Sequence, residues 1–350
     1  MPRGTLRRIA WLRLEILTVS RDGQSTFDFA VHPMKGPMTT QTLRGLKGLD
    51  PLHWRGDRDT FLAFNPAFDV LMGAEPLPDA DMLAYRDFIE TIVFAPNPNR
   101  HLDDKLPSQF NGGDAVAGQN IFRSTVFNMA SGDRIACAVC HEDPTGTVAR
   151  LNFRITQDSR LDLDQPMKIP QLRIVYKKIY FDNAPGAESL AGFGLEHDGV
   201  KANLLQAHTG PRFLGLSGNT ALLNDLNAFL LCFDTGTAPA VGYSRTITSA
   251  SVDDPDVVAE WDVLIEQAHT ENIDLIVHGK IGDAPVSYLY NVTRMQYQRN
   301  RDRTSLLTRA NLVAEIRNGG IITLLGVPFG SGERMALDRN QNGIPDGDEL

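Results

Sequence analysis

Several features are scarce in this chain of 350 residues, and each scarcity removes a class of function. Cysteine occurs three times, too few for a disulfide framework. No run reaches the roughly 20 apolar residues that a membrane-spanning helix needs, so no transmembrane segment is expected. Positive charge is short: 34 Lys and Arg stand against 43 Asp and Glu, for a formal charge of −9. No basic block is long enough to follow a phosphate backbone, which argues against nucleic acid as a partner. Histidine occurs only eight times, with no His-x(3–5)-His pair. The N-terminus, MPRGTLRRIAWLRLEILTV, begins like an export signal but sets Arg13 and Glu15 inside the would-be apolar segment. No signal peptide is therefore read in this chain. What remains is 42% hydrophobic, enough for a buried core and for two or three domains.

Two of the three cysteines stand together in RIACAVCHED, residues 134–143. Cys137 and Cys140 are separated by two residues, and His141 follows at once. That spacing lets two thiols on one helical turn meet the two vinyl groups of a haem, while the adjacent imidazole supplies one axial nitrogen to the iron. Zinc would require two further Cys or His ligands, as a rule in a second closely spaced pair, and Cys232 stands alone. A thioredoxin-like pair would sit at a strand-to-helix junction, yet no apolar strand precedes the motif. Two inert buried thiols are the bland alternative. The reading favoured is one covalently bound haem c. Such attachment takes place outside the cytoplasm, so the protein is expected to be periplasmic or otherwise exported. Cys232, inside the apolar run AFLLCFD, reads as a small buried hydrophobe.

Along the chain, residues 25–32 look strand-like and 33–73 read as ordered loop with short helices. Residues 79–94 carry apolar positions at helical spacing, and 95–113 form a Pro- and Gly-rich connector. A helix over 113–127 leads into the cysteine motif, and a helical stretch over 199–233 is broken where Gly210 and Pro211 interrupt it. From about 245 the texture changes. A helix over 254–270 is followed by two alternating strands around Gly282-Asp283-Ala284-Pro285, a second helix ending at Gly319, and a further strand.

KIPQLRIVY followed by GFGLEHDG resembles the Pro-x-Leu-Arg-Asn and His-Asp-Gly segments of the di-haem cytochrome c peroxidase and MauG superfamily. HPMKGPMTTQTLRGL, PLHWRGDR, APNPNRHLDD, CAVCHEDPTGT and FDTGTAPAVG are similar to a family of large bacterial c-type cytochromes, in which an N-terminal β-propeller often precedes two cytochrome c domains. The likeness runs from about residue 32 to 350. It implies that a first haem motif belongs upstream of His32, so this chain resembles a protein cut off within its first haem domain. A faint echo points the same way: TLRGLKGLDPLHWRGD (42–57) parallels 171–199, each with Leu-Arg and later a His before Gly and Asp. His53 and Arg55 would then be relics of the lost site.

The expected fold is mainly α: cytochrome c-like helical haem domains with long ordered loops, plus a small C-terminal α/β module. Residues 1–98 would form an incomplete cytochrome c-like domain lacking its haem motif. Residues 99–240 would form the haem domain, 241–337 the α/β module and 338–350 a calcium-loop-like tail.

His141 is the proximal iron ligand in this reading. The distal candidates are Met167, a downstream thioether, and His197 of LEHDG, with His208 third. Met167 serves equally as a core filler, and His197 as a hydrogen-bonding pocket residue. Arg173 can pair with a haem propionate or sit at the core edge.

DRNQNGIPDGDE (338–349) matches a calcium loop by position. Asp338, Asn340 and Asn342 fall at positions 1, 3 and 5, Gly343 at 6, the Ile344 carbonyl at 7, Asp346 at 9 and Glu349 at 12. Two Asn lower the charge and hence the affinity for Ca2+, and a solvated Asn/Asp/Gly tail is the alternative.

Three functions follow. The first is electron transfer with a redox partner protein or a small donor or acceptor. The second is di-haem peroxidase-like oxidoreductase chemistry, whose first haem site this chain lacks. The third is a haem-bearing structural or sensing module.

Overall fold

The computed structural model describes residues 38–349 apart from 55, 57, 130–133, 149–150, 153–166, 180–191, 198, 200, 210–212, 215, 217 and 303. The strand expected over 25–32, the upstream region and Arg55 lie outside the described residues. Contacts divide the chain into two compact units. One comprises residues 1–94 and 109–233, the other 95–108 and 234–350. Among the described residues no helix is long and apolar enough to cross a membrane.

The first unit is organised by three helices, α1 (Asp79–Glu90), α2 (Ala115–Ser124) and α3 (Thr220–Leu231). Asp114 starts α2 by accepting hydrogen bonds from the backbone N–H groups of Val116 and Ala117, which satisfies two otherwise orphaned donors. Ala115, Gly118 and Phe122 recur at helical spacing and form its buried face. That face lies on α3, which buries Leu223, Leu226 and every residue from Asn227 to Leu231. Gly118 allows the close approach, because a Cβ there would fall 1.9 Å from the Asp225 carbonyl oxygen. Beyond it, the rings of Phe122, Phe229 and Phe233 interlock, with centroids 5.1 to 6.0 Å apart.

The echo between the two halves of this unit is structural, with a register that differs from the expected one. Leu52 bridges Arg58, and Leu195 bridges Lys201, so each closes a loop with two left-handed positions. These are His53 and Gly56 in one (φ +77° and +59°), Glu196 and Gly199 in the other (φ +67° and +72°). His53 therefore corresponds to Glu196, and Trp54 to His197. The loops are cross-tied reciprocally. Thr39 N donates to the His197 carbonyl, and Lys168 N donates to the Trp54 carbonyl. Thr39 and Lys168 themselves stand in matching contexts, Met-Thr before Leu43-Arg44 and Met-Lys before Leu172-Arg173.

The second unit is built on a six-stranded antiparallel sheet. Its strands are β1 (Ser244–Ile247), β2 (Ile273–Ile281), β3 (Ala284–Asn291), β4 (Gln296–Arg299), β5 (Leu306–Leu307) and β6 (Ile321–Pro328). Their order is β5-β4-β3-β2-β6-β1. Alternation along β2 sends Ile273, Leu275 and Val277 into a core with Trp261, Leu264, Leu312 and Ile316. Ile276 faces the other way, towards Val327, Ala336 and Leu337. The helices α4 (Pro255–His269) and α5 (Arg309–Arg317) supply Trp261 and Leu264, and Leu312 and Ile316, to the first of these clusters. Thr308 and Asn311 cap α5 reciprocally.

The expectation of a mainly α protein is overturned. The described residues are 32% helical with 17% strand, and the sheet, not the helices, is the frame of the second unit. The first unit adds short ladders that no periodicity announced. Phe127–Met129 pairs with Arg134–Ile135 and with Phe213–Leu214, and Leu151–Asn152 pairs with Met167–Lys168. Ladders of two or three residues are too short to show alternation.

Candidate haem site

The cysteine motif sits on a 3-10 turn, Cys137–Val139, that packs on α2. Cys140 N and His141 N both donate to the Cys137 carbonyl, at 3.2 and 2.9 Å. Both thiols and the imidazole therefore belong to one turn of backbone. Arg123, in the last turn of α2, holds the exit of the motif through Asp143, with Nη2 to Oδ2 at 2.6 Å. Neither Cys137 nor Cys140 is in a disulfide, and both are half-buried.

The chain then turns back beneath the motif. Gly146 N donates to the Glu142 carbonyl, and Val148 N to the Cys140 carbonyl. Gly146 has φ +69°, and a Cβ there would meet Leu172 Cβ at 2.6 Å, so the turn requires glycine. Its carbonyl accepts from His141 Nδ1 at 2.7 Å. The Pro170 carbonyl is a second hydrogen-bond acceptor for the same ring, so two backbone carbonyls orient the imidazole.

Burial pushes the Cys137 thiol up to about 11 and the Cys140 thiol up as well. This opposes the zinc and thioredoxin-like readings, both of which rest on an electropositive setting that stabilises thiolate. Burial also lowers the proton affinities of His141, His208 and the Lys178 amine. His208 is depressed to about 4, by burial first, and the nearby charge of His141 adds to the effect. Lys178 acts on His141 in the same sense.

The short helices Val175–Lys178 and Leu204–His208 both pack on α3, the helix that also receives α2. Asn203 caps the second of these by accepting from Gln206 N. His208 Nδ1 is 2.9 Å from Asn227 Oδ1, and Asn227 is buried inside α3. Lys178 and Asn227 are absent from the residues that sequence reasoning selected. The one legible signal is Asn227 itself, a polar residue within the apolar run LNAFLLCF.

The other sequence candidates are placed differently. Met167 pairs its backbone with Asn152 in a two-residue ladder. The His197 carbonyl is held by Thr39 N and Oγ1 at 2.8 and 3.3 Å. The guanidinium of Arg173 donates to the Gly45 carbonyl and to Gln171 Oε1, and stacks over Phe94 at 5.0 Å. It is a core-edge tie between distant segments. His53 packs edge-on against Phe64 at 5.5 Å.

In the second unit, the C-terminal loop is wound as its spacing implies. The Asp338 carboxylate, 3% exposed, accepts from Asn342 N and Gly343 N at 3.2 and 2.8 Å. Asn340 and Asn342 both donate to Glu349 Oε1, and Ile344 N donates to Asn342 Oδ1. Asp346 is turned to Arg339, accepting from its backbone N–H at 2.8 Å. Among the described residues no three His, Cys, Asp or Glu side chains gather into an ion cage; two of the loop's side-chain donors are Asn.

No family model, no curated protein and no solved structure matches this chain.

Proposed function

We propose that this chain is an exported c-type cytochrome that holds one haem c and passes electrons to and from a redox partner. The observation that carries the reading is the single turn bearing Cys137, Cys140 and His141, with the imidazole Nδ1 anchored on the Gly146 carbonyl. Cys137 and Cys140 would hold the group as two thioethers, each thiol adding across a vinyl bond with its hydrogen going to the neighbouring carbon, and His141 would hold the iron. Thiols whose proton affinity is raised by burial suit this role, since they resist oxidation to a disulfide until they are capped. When bound, the haem supplies a one-electron couple at its iron.

The chain's own contribution is positional. The turn fixes both sulfurs on one side, Gly146 orients His141, and the Arg123–Asp143 pair keeps the turn against α2. Val139, between the two cysteines, is 59% exposed, so the turn reaches solvent.

Expression of the exported chain with a haem c maturation system should yield a covalent haem in the pyridine haemochrome assay. Cys137→Ala and Cys140→Ala should each remove one thioether and lower the yield. A chain that leaves maturation without haem would refute the proposal.

A further inference from the structure

We infer that the exposed face of α1, together with the loop that precedes it, is a docking surface for a basic amphipathic helix of a partner protein. The inference is independent of the haem reading, since it uses none of the residues of the cysteine turn.

α1 is apolar on more sides than its own packing uses. Met82 is its only buried residue. Asp81, Tyr85 and Phe88 recur at i, i+4 and i+7, so they form a separate row along the helix. All three are exposed, Phe88 at 65%. A row of that spacing is a ridge on which another helix packs.

The preceding loop widens this row instead of covering it. The rings of Phe68 and Tyr85 meet at 6.2 Å between centroids, which sets the short helix Pro66–Val70 beside α1. Leu71 and Met72 stand one turn beyond Phe68. Asn65 clasps the far end of the loop: its Nδ2 donates to the Leu77 carbonyl at 2.7 Å, and Leu77 N donates to its Oδ1 at 2.8 Å. Gly73, at φ +71°, turns the chain back while its N donates to the Asp69 carbonyl at 2.7 Å. The loop is therefore tied, and it holds Met72 in solvent at 68% exposure. Large apolar side chains grouped on tied backbone mark an interaction surface, whereas single scattered ones do not.

The surrounding charge selects the occupant. Residues 66–91 hold six carboxylates, Asp69, Glu75, Asp79, Asp81, Asp87 and Glu90, against one cation, Arg86. Arg86 is already engaged, donating to Asp87 Oδ1 at 2.6 Å. This short stretch thus carries −5 of the chain's formal −9. A second copy of the chain would set the same negative charge against itself, and nucleic acid or an anionic membrane would also be repelled. A helix whose apolar stripe is flanked by Lys and Arg satisfies both features. Its stripe covers the apolar row, and its cations meet the carboxylates.

The test is calorimetric titration of the full chain with short synthetic peptides. One is an amphipathic Leu/Lys helix, one a scramble of the same composition without an apolar face, and one a Leu/Glu helix of the same pattern. The Leu/Lys helix should bind, and more weakly as salt is raised. Phe88→Ser and Met72→Ser, both at exposed positions and expected to fold as the wild type does, should each weaken binding by about tenfold. Asp81→Lys should weaken it and flatten the salt dependence. Val258→Ser, at an exposed apolar position of α4, should bind as the wild type does. No heat with the Leu/Lys helix, equal binding of the scramble, binding of the Leu/Glu helix, or undiminished affinity in both serine variants would overturn the inference. So would self-association in sedimentation, or binding to phosphatidylglycerol vesicles, that Phe88→Ser abolishes.

Discussion

Gly118→Ala tests whether the cysteine turn is held by backbone contact between α2 and α3. On an exposed helix this change is favourable by about 1 kcal/mol, because alanine restricts the unfolded chain and suits the helix. At Gly118 the added Cβ would stand 1.9 Å from the Asp225 carbonyl oxygen, 2.6 Å from its carbon and 2.8 Å from Phe229 Cβ. Two of those atoms are backbone, so no rotamer change relieves the contact. The helices must part by roughly 1 Å, and a gap of that size forfeits a quarter to a half of each dispersion contact across it. Overpacking of this kind costs about 1–3 kcal/mol, and the rigid obstacle puts it at the upper end. After the helix gain is subtracted, a net loss of about 2 kcal/mol is expected. Urea unfolding should show a midpoint lower by roughly 1 M at unchanged slope, and hydrogen exchange should localise the loss to the amides of α2 and α3. Asn120→Ala, on the exposed face of the same helix, should be neutral or stabilising. A Gly118→Ala protein as stable as that control would refute the close-packing argument.

Three further outcomes are expected. Burial pushes the Lys168 amine down to about 8 from 10.5, although Asp50 opposes the shift, and Lys168 Nζ donates to the Leu49 carbonyl. Between pH 8 and 10.5 the unfolded chain holds this proton and the folded chain does not, so stability rises with pH across that window by about 2 kcal/mol after allowance for partial exposure. The wild type minus Lys168→Met difference in unfolding free energy should carry that slope, and parallel curves would exclude it. Asp338→Ala should lose about 1–3 kcal/mol, because the Asn342 and Gly343 N–H groups lose a charged acceptor; hydrogen exchange of residues 338–349 checks it. The spacing of the same loop predicts that calcium raises the melting temperature of the wild type and not of Asp338→Ala. A calorimetric titration without heat would remove calcium from the account.

The sequence by itself determined what is local. That Cys137, Cys140 and His141 share one turn of backbone was legible because they lie within five consecutive residues, whatever the rest of the chain does. The hairpins and helices of the second unit were legible because long elements repeat their burial every two or 3.6 residues. The winding of 338–349 was legible for the same reason, since its donors and acceptors lie within one loop.

Only the tertiary structure decided what depends on distant partners. It overturned the mainly α assignment, because two-residue ladders such as Leu151–Asn152 with Met167–Lys168 carry no period and form only when folding brings them together. The register of the internal echo was settled by the bridges Leu52–Arg58 and Leu195–Lys201, not by the shared histidine. Arg173 went to Gly45, Gln171 and Phe94, which no spacing could state. His208 was set against Asn227 by the docking of its short helix on α3, a pairing that no local pattern carries.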